Sequence, residues 1–140
     1  MAPIRLPRQV RVGRDIPATP VAKQKQRLVY RITHIDNVPW ILEHGLHSDS
    51  SDVRDPNFVS IGNPDLISKR AVHGVPVGPG GTLGDYVPFY FCTRSVMLYK
   101  LHTGQVEGVD VRQEDIVYLV SSVGLLLDTG VRFVFTDRNA

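Results

Sequence analysis

The run "VPVGPGGTLGD", residues 75–85, constrains this chain more than any other feature. It places four glycines and two prolines in the middle of the sequence. Proline lacks an amide donor, and glycine tolerates backbone angles that other residues avoid, so a helix or a ladder-forming strand cannot run through it. Regular elements must stop before this loop and start again after it. The next segment, "YVPFYFC" (86–92), is rigid, aromatic and apolar. Its composition predicts a strand, and Pro88 within it predicts an edge or a bulge.

On the N-terminal side, "LVYRIT" (28–33) is β-branched and aromatic at strand length. Asp36 is placed to cap a helix over "NVPWILEH", with Val38, Ile41 and Leu42 at helical spacing and Gly45 as its stop. "HSDSSDVRDPN" reads as a polar loop. A second helix begins at the cap Asn63, carries Pro64 in its first turn and Asp65 at its positive end, and closes at Gly74. Beyond the glycine loop come a short helix capped by Ser95, a buried strand "EDIVYLVSS", a helix "VGLLLDTG" ending at Gly130, and a strand "VRFVFTD". Short strands and helices mix irregularly. That predicts an α+β fold, not a regular doubly wound sheet.

With 140 residues, 42% hydrophobic and 21% charged, the chain can bury the core of one domain. The net charge of +2 conceals an asymmetry. Residues 1–31 carry Arg5, Arg8, Arg11, Arg14, Lys23, Lys25, Arg27 and Arg31 against the single acid Asp15. Residues 1–27 are rich in proline and arginine without a period and read as an irregular basic arm, leaving 28–140 as the folded domain. Such an arm suits a polyanion, whose counterions are released when Lys and Arg replace them. It equally suits a solvated leader with no partner. Cys92 is the only cysteine, which excludes an internal disulfide and a thiolate cage. Its apolar setting predicts a small buried hydrophobe. No run approaches the roughly 18 apolar residues of a membrane span, and the first residues lack the apolar middle of a secretory signal. A reducing, cytoplasmic setting is expected.

Little familiar chemistry is written in the motifs. His34, His44, His47, His73 and His102 form no recognisable ligand set, so no metal is expected. There is no Gly-x-Ser-x-Gly elbow, and the glycine loop is neither a Walker loop nor a Rossmann fingerprint. What remains are polar residues at element ends. In "YRITH", strand alternation points Arg31 and Thr33 to one face, a pair able to grip a phosphate or an amide. Arg70 closes the second helix just before the glycine loop. Each also has a plain structural use: a snorkelling arginine, a capping threonine, a surface histidine.

Taken together, "VYRITHIDNVPWILEHGL", "SIGNPDLISKR", "VPVGPGGTLGDYVPFYFCTRSVMLY", "EDIVYLVSSV" and "FVFTDRNA" resemble the DarT toxins in order and spacing, from about residue 28 to 140. That family consists of bacterial enzymes that use NAD to ADP-ribosylate thymidine in single-stranded DNA and are opposed by a DarG antitoxin. The resemblance implies an ADP-ribosyltransferase-like fold, with a split β-sheet core flanking an NAD cleft and helices outside. It implies NAD contacts from Ile32, Thr33 and His34, with Arg31 standing where the family usually has histidine. Trp40 stands where the family has a small residue, and so narrows the pocket or stacks on a ring of the ligand. The segment from about Asp55 to Val72 matches the family's NAD-binding element, and Arg70 its catalytic arginine. Because arginine stays protonated, electrostatic positioning is the expected role. "YVPFYFC" resembles the strand that floors the cleft.

The family's catalytic glutamate follows a substrate loop that lies past Ala140. The resemblance therefore implies that this chain carries the NAD-binding half of such an enzyme. Glu43, Glu107 and Glu114 do not stand at the glutamate's position. The alternative is an inactive NAD- or nucleic-acid-binding module, or a degenerate fragment.

Overall fold

The computed structural model describes residues 10–12 and 26–137. Two antiparallel pairs of strands are formed. The short pair joins β1 (Val10–Val12) to the strand Val134–Thr136, in register from Val10↔Thr136 to Val12↔Val134. The long pair joins β2 (Leu28–His34) to β3 (Ile116–Ser122), from Leu28↔Ser122 to His34↔Ile116. Val134–Thr136, the last strand, is β4. Among the described residues, four short helices accompany the strands: α1 (Val38–His44), α2 (Pro64–Val72), α3 (Val96–His102) and α4 (Val123–Asp128). The result is α+β, with the strands divided between two small sheets.

Local chemistry explains the helix starts. Asn63 accepts at its side-chain oxygen from the Asp65 amide at 2.9 Å. The Ser95 hydroxyl accepts from Leu98 N, and the Ser122 hydroxyl from Leu125 N, each at 3.1 Å. Each satisfies a donor that the helix cannot. Asp36 does not cap α1. A 3-10 turn, Ile35–Asn37, intervenes, capped by the His34 ring, and Asn37 precedes α1 without a side-chain cap bond. The apolar stripe expected on α1 is only partly used, for Leu42 is 82% exposed. α2 ends at Val72, and Gly74 bridges to Thr82 instead of closing the helix.

The core gathers on one side of β2. Ile32 packs with Ile61, Leu101 and Val106, and Met97, Leu98 and Ile116 lean against them. This cluster holds the C-terminal part of β2 against α3 and the loop beyond it.

Three further expectations are corrected. "YVPFYFC" is not a strand: its backbone meets β2 at Tyr90 alone, which exchanges two 2.7 Å hydrogen bonds with Tyr30. Pro88 can supply no amide to extend the ladder. Cys92 is exposed, not buried, because without the strand nothing turns it inward. Lastly, the basic arm contains β1, whose three residues are too few to display alternation and whose partner lies at the far end of the chain. Residues 1–9 and 13–25 of that arm lie outside the described residues.

Candidate functional site

The site forms where the C-terminal end of β2 meets the segment after the glycine loop. Arg31 is half-buried, and its Nη1 donates to the Pro88 carbonyl at 3.2 Å. Its Nε is buried with no partner, which costs on the order of 1–3 kcal/mol for a desolvated donor. Burial lowers the Arg31 pKa; the carboxylate of Asp49 opposes the shift, and the nearby charge of Arg70 adds to it. The two guanidinium groups thus share one electrostatic neighbourhood.

Arg70 stands in the last turn of α2, and its Nη2 donates to the Leu83 carbonyl at 3.2 Å. Both arginines therefore hang from carbonyls of a single short stretch, Leu83 to Pro88. This is what the end of the glycine loop and the first residues after it do. They form a rail of carbonyls that begins in a 3-10 turn, Leu83–Asp85, and is held to β2 by the Tyr30–Tyr90 bridge, and both guanidinium groups are anchored on it.

The other predicted residues divide sharply. Ile32 is 6% exposed and its side chain belongs to the core. Thr33 is buried, and its hydroxyl accepts from Asn37 Nδ2 at 3.1 Å. The His34 Nδ1 accepts from the Asp36 amide at 3.1 Å. These three side chains are committed to the fold, so toward a ligand they offer backbone. In an antiparallel strand the N–H and C=O of alternate residues point the same way. Ile32 and His34 share the edge on which Tyr30 meets Tyr90, and among the described residues no ladder covers that edge beyond the bridge. Trp40 stacks on His44, with ring centres 4.5 Å apart and planes at 13°, and meets His47 edge-on.

Sequence reading missed two residues that organise this region. Asn37 is fully buried. Its Nδ2 donates to the Val59 carbonyl and its oxygen accepts from the Val59 amide, each at 2.8 Å, besides the bond to Thr33. It ties the end of β2 to the segment 55–63 that leads into α2. Asp85 closes a capping box over the 3-10 turn Leu83–Asp85. The signal for it was present, since "TLGD" has the Thr-x-x-acid spacing that such a box requires. The hydrogen bonds from Ser50 and Thr82 hold the Asp85 carboxyl below the usual carboxylate range. Its contribution to folding is therefore present above the ordinary carboxylate pKa and is lost as pH falls through the lowered value.

Among the described residues, no group of three or more His, Cys, Asp or Glu side chains is placed to hold a metal ion, and no helix is long and apolar enough to cross a membrane. Glu114 is committed to Arg112, 2.7 Å away.

The sequence profile described as "ssDNA thymidine ADP-ribosyltransferase, DarT" matches residues 30–140. The chain belongs to the DarT family. It is 52% identical over 117 residues to a DNA ADP-ribosyl transferase of Escherichia coli O127:H6, covering 83% of this chain and 53% of that protein. It is 44% identical over 113 residues to a DNA ADP-ribosyl transferase of Thermus aquaticus, covering 81% and 50%. Among solved structures, the DarT of Thermus sp. 2.9 in complex with ADP-ribosylated ssDNA superposes with a TM-score of 0.68 at 36% identity, over 79% of this chain and 58% of that one. The same protein in complex with NAD+ gives a TM-score of 0.61 over the same shares. This chain spans about half the length of the curated relatives it matches. The fold expected from the resemblance is the one observed.

Proposed function

We propose that this chain is the donor-binding half of a transferase that moves ADP-ribose from NAD to thymidine bases of single-stranded DNA. In the cell it is then the toxin of a toxin–antitoxin pair, acting in the cytoplasm and opposed by a DarG-type macrodomain protein. In the reaction the bond between ribose C1′ and nicotinamide breaks, nicotinamide leaves, and a thymine ring nitrogen that has lost its proton bonds to that carbon. One observation carries the reading. Arg31 and Arg70 donate to carbonyls of one short stretch, Leu83 to Pro88, and among the described residues no carboxylate is bonded to either. Two cations so arranged suit the two negative charges of a diphosphate. The open β2 edge at Ile32 and His34 offers the amide hydrogen bonds that a carboxamide uses. The relative solved with NAD+ supports the same choice of donor.

The test is to titrate NAD into the chain and then to add a thymidine-containing single-stranded oligonucleotide, reading its mass for one ADP-ribose. Saturable binding with transfer is expected if the chain suffices for the reaction. Binding without transfer makes it a donor-binding module that needs more protein. No binding removes the reading.

Arg31→Met supplies a sharper check. It deletes a desolvated charge, an orphaned Nε and the repulsion from Arg70, so the melting temperature should hold or rise. Affinity for NAD should fall about tenfold or more, because a charge-assisted bond contributes roughly 1.5–3 kcal/mol. Calorimetry and a thermal melt read both. A variant that binds NAD normally would show that Arg31 is only structural.

A further inference from the structure

Resting on the assignment of Arg70 to the donor site, we infer that Asp85 is a positioning residue for Arg70, acting through the Leu83 carbonyl.

An arginine side chain at a helix end has many rotamers and loses substantial entropy when held in one. Arg70 is held by the Leu83 carbonyl, so the placement of that carbonyl decides where the guanidinium points. Leu83 is located from both sides. Its amide donates to His73 O at 2.8 Å, just past α2, and its carbonyl also accepts from Tyr86 N at 3.3 Å. The turn that carries Leu83 is closed by Asp85. Its Oδ2 accepts from the Thr82 amide at 2.8 Å and from the Thr82 hydroxyl at 3.3 Å, while Oδ1 accepts from the Ser50 hydroxyl at 2.5 Å. Ser50 N in turn donates to Gly84 O at 3.3 Å. One exposed carboxylate thus joins the turn to the loop beside Asp49, the residue whose charge acts on Arg31.

The glycines on either side make room for this arrangement. Gly81 has φ +77°, and a Cβ there would lie 2.5 Å from Asp85 Oδ2. A Cβ on buried Gly84 would lie 3.1 Å from the Cα of Ala71, the neighbour of Arg70. The turn is pressed onto α2 at the arginine, with the carboxylate seated behind it. Asp85 itself is on the surface and belongs to no core cluster, so a thermal melt reads its contribution to folding separately from positioning.

The substitutions are chosen from these bonds. Asp85→Ala removes every link. Asp85→Asn keeps them, because its oxygen can accept from Thr82 and its amide can donate to Ser50 Oγ. Each is made in the wild-type chain and in an Arg70→Ala background, and NAD affinity is measured by titration alongside thermal melting. In the wild-type background, Asp85→Ala should weaken NAD binding about five- to tenfold, with Asp85→Asn close to wild type. In the Arg70→Ala background, Asp85→Ala should change the remaining affinity by less than about twofold, since residues acting through one another are not additive. Unchanged affinity in Asp85→Ala, or an equal loss in both backgrounds, overturns the inference. A second readout is independent of NAD: the Arg70 Nε–Hε resonance in 15N NMR. Its coupling constants should move toward rotamer averaging in Asp85→Ala and return in Asp85→Asn. If the chain binds no NAD, the donor-site reading fails, and this signal alone decides the positioning role: an Arg70 resonance unmoved by Asp85→Ala refutes it.

Discussion

Arg70→Ala should abolish NAD-linked function while leaving the chain folded. The side chain lies at the end of α2, half-buried, and contributes little to folding: it donates to a carbonyl that also receives the Tyr86 amide. Losing it leaves Leu83 O with a donor, so the stability cost should stay within about 1 kcal/mol. A diphosphate placed against Arg31 and Arg70 loses one of its two cations. Truncating one partner of a desolvated charge pair costs roughly 2–5 kcal/mol, or about 30-fold to several thousand-fold in affinity. Arg70→Lys keeps the charge but not the planar fork, and should recover only part of the loss. Titration with NAD, a thermal melt and the oligonucleotide mass assay read the three quantities. A well-folded Arg70→Ala chain with wild-type NAD affinity would remove Arg70 from the site.

The second large effect is on stability. Asn37→Ala should destabilise the chain by about 3–5 kcal/mol, a large share of the roughly 5–15 kcal/mol that holds a domain together. Asn37 is completely buried and makes three hydrogen bonds, two of them to Val59. Alanine removes the side chain that satisfied the partly buried Val59 amide and carbonyl, at roughly 1–3 kcal/mol for each orphan. Asn37→Asp can still accept from the Val59 amide but cannot donate to its carbonyl, and it buries a charge, so it should not rescue. Urea melts give the magnitude, and hydrogen exchange at the Val59 amide gives the location. That amide should lose protection before those of the β2–β3 ladder do. Uniform loss across the fold, or a midpoint close to wild type, would contradict the role assigned to Asn37. Because Val59 leads into α2, NAD affinity should fall with it.

The two predictions separate the layers of the site. Asn37 builds the frame, fastening the end of β2 to the segment before α2. Arg70 and Arg31 are mounted on that frame and on the carbonyls between Leu83 and Pro88. Arg31 is the member least suited to folding: it is desolvated, beside another cation, and has a donor without a partner. Under the proposed assignment, an anion bound there would account for that local cost.

How much of this was legible in the sequence depended on the range of the forces. Helix starts at Asn63 and Ser95 were readable because a cap is a bond between a side chain and an amide two or three residues away. The strands Leu28–His34 and Ile116–Ser122 were readable because β-branched and aromatic residues fill them. The family was readable from long motifs in their order. "YVPFYFC" misled because composition favours a strand, whereas forming one requires a partner edge, and Pro88 lets only Tyr90 pair. Cys92 followed the same error to the surface. β1 escaped notice because its pairing to Val134–Thr136 is nowhere encoded in three residues.

Short-range chemistry, then, was determined by the residues themselves: the caps, the stop at the glycine loop, and the presence of a charged residue at positions 31 and 70. Tertiary structure alone decided that those two cations are anchored on one short stretch of carbonyls, that Asn37 is a buried link from the end of β2 to Val59, and that an aspartate on the surface seats the turn carrying Leu83. The reason is physical. A cap or a turn is satisfied within a few residues, but where a long side chain ends up depends on which distant backbone is brought within about 3 Å of its donors, and that is settled only by how the whole chain buries its apolar surface.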